Sequence, residues 1–135
     1  MVHIYHFLLI FRGDFPTVEE EVEKKEALKD ASDQYEVEHR ARYGERPGFR
    51  ISELQISTTQ KVPWHMHNSI DDTFYVVAGN IRLFLREPDE DIRLTPGDSY
   101  RVKAGRPHLV KNDGDTSATF VILQGVGEYD YVPIV

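Results

Sequence analysis

Two histidines separated by a single residue, His65 and His67, are the side chains of this sequence best placed to do chemistry. Side chains of an extended strand alternate between its two faces, so these two imidazoles share one face. Two adjacent imidazoles can bind one cation, and a third histidine on a neighbouring strand can complete a set of ligands that leaves positions open for substrate or water. His108, farther along the sequence, is available for this third place. The pattern predicts a small β-barrel built around a metal ion.

The strands that must position these histidines are predicted from residue 49 onward. Runs rich in β-branched and aromatic residues, or in alternating apolar residues, are separated by turn-forming segments. Many short strands at this spacing are typical of an all-β sandwich or barrel. The predicted strands cover residues 49–57, 73–78, 80–86, 92–94, 100–103, 107–111 and 117–124. We expect the tail at 125–135 to pack back onto the domain or to exchange with a neighbouring chain.

Residues 1–48 differ in character from the rest and are predicted to form an N-terminal extension of one strand and one helix. The barrel domain is predicted at 49–135, and the two parts are expected to form a single structural unit. Residues 2–11 are mostly apolar and are interpreted as a buried strand.

A highly charged helix is predicted over residues 17–43. Thr17 and Glu20 form a capping-box pattern at its start, and Gly44 supplies a stop. The apolar stripe of this helix is thin, which places it on the outside of the domain or against a partner; the alternative is a solvated, partly frayed helix. The stripe consists of Val18, Val22, Leu28, Ala31 and Tyr35.

Composition narrows the class of function. The chain has 135 residues, enough for one domain with a modest core. Its formal charge is −7, from 23 acidic against 16 basic residues, and the lack of a basic stripe argues against nucleic-acid binding. No apolar run reaches the length of about 18 residues that a membrane-spanning helix needs. The sequence lacks cysteine, which excludes disulfides and thiolate metal sites, and together with the absence of a secretory signal pattern this favours a cytoplasmic protein.

Two motifs of the sequence resemble the signature motifs of the cupin superfamily. The first family motif is a His-x-His pair followed by a glutamate and a glycine, and the second combines two glycines, a histidine and an asparagine. The matching residues are His65, His67, Asp72 and Gly79 for the first motif and Gly97, Gly105, His108 and Asn112 for the second. The motifs span residues 63–112, and the flanking predicted strands extend the likeness to about 49–124. The resemblance implies a cupin-type double-stranded β-helix, that is, a jelly-roll barrel.

Two positions depart from the family pattern. The family glutamate is Asp72 here, and the family proline is Lys103, which lies in a predicted turn away from the ligands. Because aspartate is one methylene shorter, we expect a three-histidine site in which Asp72 is a distant metal ligand or a hydrogen-bond partner of a metal-bound water. Asp71 is the competing acid, but the six-residue step to Gly79 favours Asp72. The expected cofactor is one divalent transition-metal ion such as zinc, iron, nickel, copper or manganese, since imidazole suits several of these ions.

Side chains on the ligand face are expected to line a substrate pocket. The candidates are Phe74, Val76 and Val110, with Trp64 at the barrel mouth. An apolar wall with a few polar groups fits a small organic ligand. The candidates for catalysis are Asp72 and Tyr100, and the further polar candidates for substrate contact are Gln55, Ser57 and Gln124.

Several polar residues are expected to be structural. Asn112 opens a turn in which its side chain can bond the nearby backbone. His3, His6 and His39 lie outside the motifs and are interpreted as packing or surface residues.

Two functions are open at this point. The first is a metal-dependent enzyme acting on a small organic molecule; the resemblance implies a dioxygenase, decarboxylase, isomerase, lyase or cyclase. The second is a non-catalytic barrel that binds a small molecule or sugar, with a structural metal or none. We also expect a homodimer, because the apolar strand at 2–11 would otherwise be an exposed edge that adds to a sheet or crosses to a partner.

Overall fold

The computed structural model describes residues 3–5 and 22–134, and in this part of the chain every regular element is a β-strand. The all-β fold class predicted from the sequence is confirmed. The strands are β1 (His3–Tyr5), β2 (Val22–Lys24), β3 (His39–Arg46), β4 (Phe49–Ile56), β5 (Lys61–Met66), β6 (Asp71–Ala78), β7 (Ile81–Leu85), β8 (Glu90–Leu94), β9 (Ser99–Val102), β10 (His108–Asn112), β11 (Ala118–Gly125) and β12 (Val132–Pro133).

Two five-stranded antiparallel sheets face each other. One has the order β12-β5-β10-β7-β8, and the other has the order β3-β4-β11-β6-β9. From β4 onward the chain crosses between the sheets at nearly every connection, so strands far apart in sequence become neighbours. This alternation is the winding of a double-stranded β-helix.

The core lies between the two sheets because each strand alternates apolar and polar side chains. In β6, Phe74 and Val76 are 1% and 0% exposed, whereas Tyr75 and Val77 on the opposite face are 46% and 49% exposed. The inward residues of β7 and β11 join the same core. Each fully buried large apolar side chain of this kind contributes about 1.5–3 kcal/mol to stability, which holds the two sheets, and therefore the site between them, in a fixed relation.

The helix predicted over 17–43 is wrong for the residues that the structure describes. Val22–Lys24 is a short strand, the segment at 25–38 is irregular, and residues 39–46 form the edge strand β3. Two apolar residues of the supposed stripe contact the barrel instead: Leu28 forms a backbone bridge to Tyr131, and Tyr35 packs against the core. Tertiary contacts therefore overrode the local helical pattern in this segment. Residues 17–21, with the predicted cap, lie outside the described residues.

The N-terminal and C-terminal segments are tied to the barrel differently. Of the strand predicted at 2–11, the structure describes only His3–Tyr5, which pairs with Val22–Lys24 of the same chain rather than with either large sheet. The tail packs back, as β12 pairs with β5. Strand β3 pairs along β4, so residues 39–46 belong to the barrel sheet although the domain boundary was expected at residue 48. Among the described residues no helix has the length and apolar character to span a membrane.

Candidate metal centre

Three histidines and one aspartate meet at one end of the barrel interior. His65 on β5 lies directly opposite His108 on β10, and His67 follows one residue after β5 ends. Asp72 comes from β6 in the facing sheet. None of the four side chains is more than 3% exposed. The winding of the chain therefore brings together two stretches that are about 40 residues apart in the sequence.

The Nε2 atoms of all three imidazoles converge on one oxygen of Asp72. The distances from Asp72 Oδ2 are 2.8 Å to His67 Nε2, 3.1 Å to His108 Nε2 and 3.9 Å to His65 Nε2. One possible donor atom from each of the four residues lies within 4.8 Å of the others. Although aspartate is shorter than the family glutamate, its carboxylate reaches the imidazoles.

The opposite nitrogen of each ring is held by a backbone carbonyl. His65 Nδ1 lies 2.8 Å from Pro63 O, His108 Nδ1 lies 2.9 Å from Arg106 O, and His67 Nδ1 contacts Asp130 O. A carbonyl oxygen only accepts hydrogen bonds, so each ring carries its proton on Nδ1 and a neutral ring has a bare Nε2 lone pair. This is the outer arrangement that fixes the tautomer of metal-binding histidines.

The cluster therefore has an excess of acceptors. Three Nε2 lone pairs and a carboxylate oxygen point at one buried place, and a cation is needed to satisfy them. Donors bound to one ion at about 2.1 Å lie about 3.0–3.4 Å apart, and the three nitrogen–oxygen separations of 2.8, 3.1 and 3.9 Å lie in this range or on either side of it. The three imidazole nitrogens and the carboxylate oxygen are therefore a donor set that fits a divalent ion.

Without a cation, a proton takes its place. Burial opposes the charge of Asp72, but the positive charge of His67 and its hydrogen bond to the carboxylate outweigh this effect and hold the pKa of Asp72 well below its usual value. Burial likewise lowers the pKa of His67, but Asp72 and the Asp130 carbonyl raise it above the ordinary value overall. Burial, and then the charge of His108, lower the pKa of His65 to about 3. A proton on His67 is therefore favoured by the carboxylate of Asp72, 2.8 Å away, and a metal ion at the cluster would displace it.

A glycine of the second motif positions the first motif. The Gly105 backbone N–H donates to the carbonyl of His67 at 2.6 Å, and its φ of +82° is a conformation that favours glycine. This contact fixes the backbone of His67 just beyond the end of β5.

The segment between β11 and β12 covers the cluster, and the sequence patterns did not identify it. The ring of Tyr131 stacks on His65 with centroids 4.6 Å apart, and Tyr129 lies 5.6 Å from His67. Both Asp130 carboxylate oxygens accept hydrogen bonds from Asn68, at 2.9 and 2.7 Å, which ties the segment to the loop after His67. The only signal in the sequence was the concentration of tyrosine in the tail.

A small cavity adjoins the cluster. Its volume is about 20 Å³, which is room for about one water molecule or ion. The lining residues are Tyr35, Val62, His65, His67, Asp72, Phe74, Val110, Ile122, Gln124, Tyr129 and Tyr131.

The pocket residues expected from the sequence are placed in different regions. Phe74 and Val110 line this cavity. Val76 is buried deeper in the core between the sheets. Trp64 is not at the site: it packs against Phe84 and Leu109 on the other face of its sheet, because it alternates with His65 along β5.

Tyr100, a catalytic candidate, lies away from the cluster. Its hydroxyl donates to Glu90 at 3.2 Å and accepts from Arg106 at 3.2 Å. Tyr100 therefore bridges the two sheets at β8 and β9 instead of facing the histidines. Asp71, the competing acid, is also outside the cluster, where it accepts from the Ala104 backbone N–H at 2.9 Å and pairs with Arg101 at 3.0 Å.

Of the three further polar candidates, one lies at the site. Gln124 donates from Nε2 to Asp72 Oδ1 at 3.0 Å and so orients the carboxylate. Gln55 bonds Glu38, and Ser57 bonds Thr59 in a turn.

The remaining residues singled out in the sequence have the structural roles expected of them where they are described. Asn112 donates to the carbonyls of Ile56 and Thr116, at 3.3 and 2.8 Å, and accepts from the Gly114 backbone N–H at 2.8 Å. His39 is exposed and lies 3.9 Å from Glu53. The side chain of His3, and all of His6, lie outside the described residues.

The sequence of this chain matches a known protein family. A family model described as "Cupin domain" matches residues 53–124, and the chain belongs to the cupin family. Among proteins with curated descriptions, none matches the sequence.

Solved structures similar to this chain share the fold at low identity. An uncharacterized conserved protein with a double-stranded β-helix domain from Klebsiella pneumoniae is 21% identical with a TM-score of 0.62, covering 70% of this chain and 83% of that one. KdgF from Halomonas sp. is 19% identical with a TM-score of 0.59, covering 70% and 91%. An oxalate oxidase is 16% identical with a TM-score of 0.59, covering 64% of this chain and 46% of that one.

Proposed function

We propose that this cupin is a metal-dependent enzyme acting on a small organic molecule. The observation that carries the proposal is the convergence of three Nε2 atoms on Asp72 Oδ2, with every Nδ1 held by a backbone carbonyl. His65, His67 and His108 would bind the ion, and Asp72 would be a fourth ligand. A divalent ion at this place would polarise a substrate carbonyl or enolate as a Lewis acid or, if redox-active, support chemistry with dioxygen.

The residues around the cluster have separate tasks in this proposal. Gln124 holds the carboxylate of Asp72 through one oxygen, which leaves the other directed at the imidazoles. Tyr131 stacks on His65 and excludes bulk water from one side, where electrostatic interactions are stronger than in water. Burial raises the pKa of Tyr131 and of Tyr129, so both hydroxyls keep their protons well above neutral pH.

A non-catalytic barrel with a structural metal is the second candidate, and the small inner cavity favours it. A volume of about 20 Å³ holds no organic substrate beside an ion. A larger cavity of about 280 Å³ lies next to it, however, and the two share the wall formed by Tyr35, Ile122, Gln124 and Tyr129. Displacement of the two wall tyrosines would connect the spaces, so catalysis requires that this wall open.

Metal binding is tested first. Purified protein should bind one zinc, iron, nickel or manganese ion, and His65→Ala, His67→Ala and His108→Ala should each abolish most of the occupancy measured by mass spectrometry of the bound metal. His39→Ala, which removes an exposed histidine, is the matched control. Full occupancy in the three cluster variants would overturn the proposal.

Catalysis is tested second, on the metal-loaded protein. Oxygen uptake and product formation are measured with a panel of enols, diketones and catechols, first with iron and then with zinc. Turnover that disappears in His108→Ala supports the enzyme. A protein that binds metal, loses thermal stability with a chelator and turns over none of the panel would favour the non-catalytic barrel.

A further inference from the structure

Three arginines line the larger cavity beside the metal centre. The cavity has a volume of about 280 Å³, and its basic residues are Arg40, Arg42 and Arg50. This concentration of cations stands out in a chain whose net charge is −7. This volume is close to the lower limit for small-molecule pockets, which is about 300 Å³.

A row of polar side chains connects these arginines to the histidine cluster. Asp72 on β6 pairs with Gln124 on β11, and Gln124 pairs with Arg50 on β4. The three residues lie on the inner face of one sheet, at successive strands, so the backbones of Asp72 and Arg50 are two strand spacings or about 10 Å apart.

Tyr129 stands between the two ends of the row. The Arg50 guanidinium lies over its ring at 3.4 Å from the centroid, and the same ring lies 5.6 Å from His67. The ring therefore borders both the arginine cavity and the cavity at the histidines.

The hydrogen-bonding capacity of Arg50 is largely unused by the described residues. Its side chain is only 11% exposed, yet its ionic partner, Glu45, is 3.8 Å away, beyond hydrogen-bonding distance. Arg42 meets the same carboxylate at 3.6 Å. A guanidinium offers five N–H donors in a planar fork that matches a carboxylate. Two such groups, each loosely paired with the same exposed acid and both lining the cavity, retain donors whose hydrogen bonds a carboxylate could accept.

The charge balance selects the class of anion. Three arginines are opposed by Asp30, which lines the cavity, and by Glu45, so the balance is one positive charge. Asp30 is itself occupied by two hydrogen bonds from Ser32. One net positive charge suits a single carboxylate better than a dianionic phosphate.

We propose that the cavity binds a small organic monocarboxylate, with its carboxylate on Arg50 and Arg42 and its other end directed past Tyr129 towards the histidine cluster. Its role as the substrate of the metal centre rests on the proposed function, whereas anion binding at the arginines does not.

The test uses butyrate and its neutral amide, butyramide, which have the same shape and differ in charge. Both are titrated into the full chain, zinc-loaded and then chelator-treated, and dissociation constants are read from the amide resonances in two-dimensional NMR. We expect butyrate to bind at least about 10-fold more tightly than butyramide. Arg50→Gln should remove this preference, because glutamine keeps polarity without charge. Arg93→Gln, on β8 and 61% exposed, is the matched control and should keep it.

Each outcome decides one of the two proposals. Equal affinity for butyrate and butyramide, or a preference unchanged by Arg50→Gln, would overturn the arginine site. An Arg50-dependent preference for inorganic phosphate over butyrate would overturn the assignment to a carboxylate. Loss of the preference when zinc is removed would mean that the ion, not the arginines, holds the carboxylate, and would also overturn it. A preference that persists in protein unable to bind zinc would sustain the arginine site while the metal-enzyme proposal fails.

Discussion

The substitution Asp72→Asn separates a four-donor metal site from a three-histidine site. It keeps the size of the side chain and removes its charge. In the structure Asp72 Oδ2 lies 2.8 and 3.1 Å from two imidazole nitrogens. This is close enough for the oxygen to bind the same ion directly, without a water molecule between the carboxylate and the metal. We therefore expect the variant to bind zinc much more weakly than the wild type.

The size of the expected loss of zinc affinity follows from two opposing effects. Removing an outer partner of a metal ligand typically weakens binding by about 10–100-fold, and loss of a charged donor should exceed that. In the other direction, Asp72 raises the pKa of His67 above its ordinary value against the effect of burial, so a proton competes with the ion more strongly in the wild type than in the variant. The variant loses this competing proton, which returns part of the affinity. We expect a net loss of about 100-fold at pH 7.5.

The assay is competition for zinc with a chromophoric chelator at pH 7.5. Asp71→Asn is the matched control, because Asp71 pairs with Arg101 and caps the Ala104 backbone outside the cluster. It should leave the zinc affinity within about threefold of the wild type. If Asp72→Asn also stays within about threefold while His67→Ala loses zinc, the carboxylate is no ligand and the three-histidine site expected from the sequence is the correct one.

Three further outcomes are expected. Zinc affinity should fall as the pH is lowered from 8 to 6, because a histidine must lose its proton to bind the ion and the pKa of His67 is raised above its ordinary value by Asp72 and the Asp130 carbonyl, against the effect of burial; a flat profile in the competition assay would contradict this. Gly79→Ala should destabilise the fold by more than about 1 kcal/mol in urea denaturation, because Gly79 has a φ of +72° and a Cβ there would lie 2.5 Å from Ser117 O. Gly97→Ala is the control: Gly97 also has a positive φ, +91°, but a Cβ there would meet open space, so this substitution should destabilise the fold less. Light scattering should show a homodimer joined through residues 2–11, and a monomer at micromolar concentration would count against it.

The histidines were predictable because their geometry is local. A period of two places His65 and His67 on one face whatever the partner strand is, and the spacing of the second motif places His108 on a strand of its own. The same alternation explains why Phe74 faces the cavity. It also shows why Trp64 does not: adjacent to His65 on the same strand, it had to point to the opposite face.

The segment at 22–46 shows where local patterns fail. Its charged residues favour a helix, but Leu28 bridges to Tyr131 of the barrel and Tyr35 packs near the same ring, contacts that a thin helical stripe would not make. Gly44, interpreted as a helix stop, lies instead in β3 where the register with β4 shifts. A glycine in a strand commonly marks such an irregularity.

The sequence by itself determined the class of the fold and the identity of the imidazoles, because both depend on alternation and spacing along single strands. Only the tertiary structure decided what surrounds them. The carbonyl of Asp130 and the ring of Tyr129 reach the histidines, and the guanidinium of Arg50 lies over Tyr129, from strands and loops that pair at long range. Such contacts are set by sheet order and register, which depend on the packing of the whole core and leave no periodic trace in any one segment.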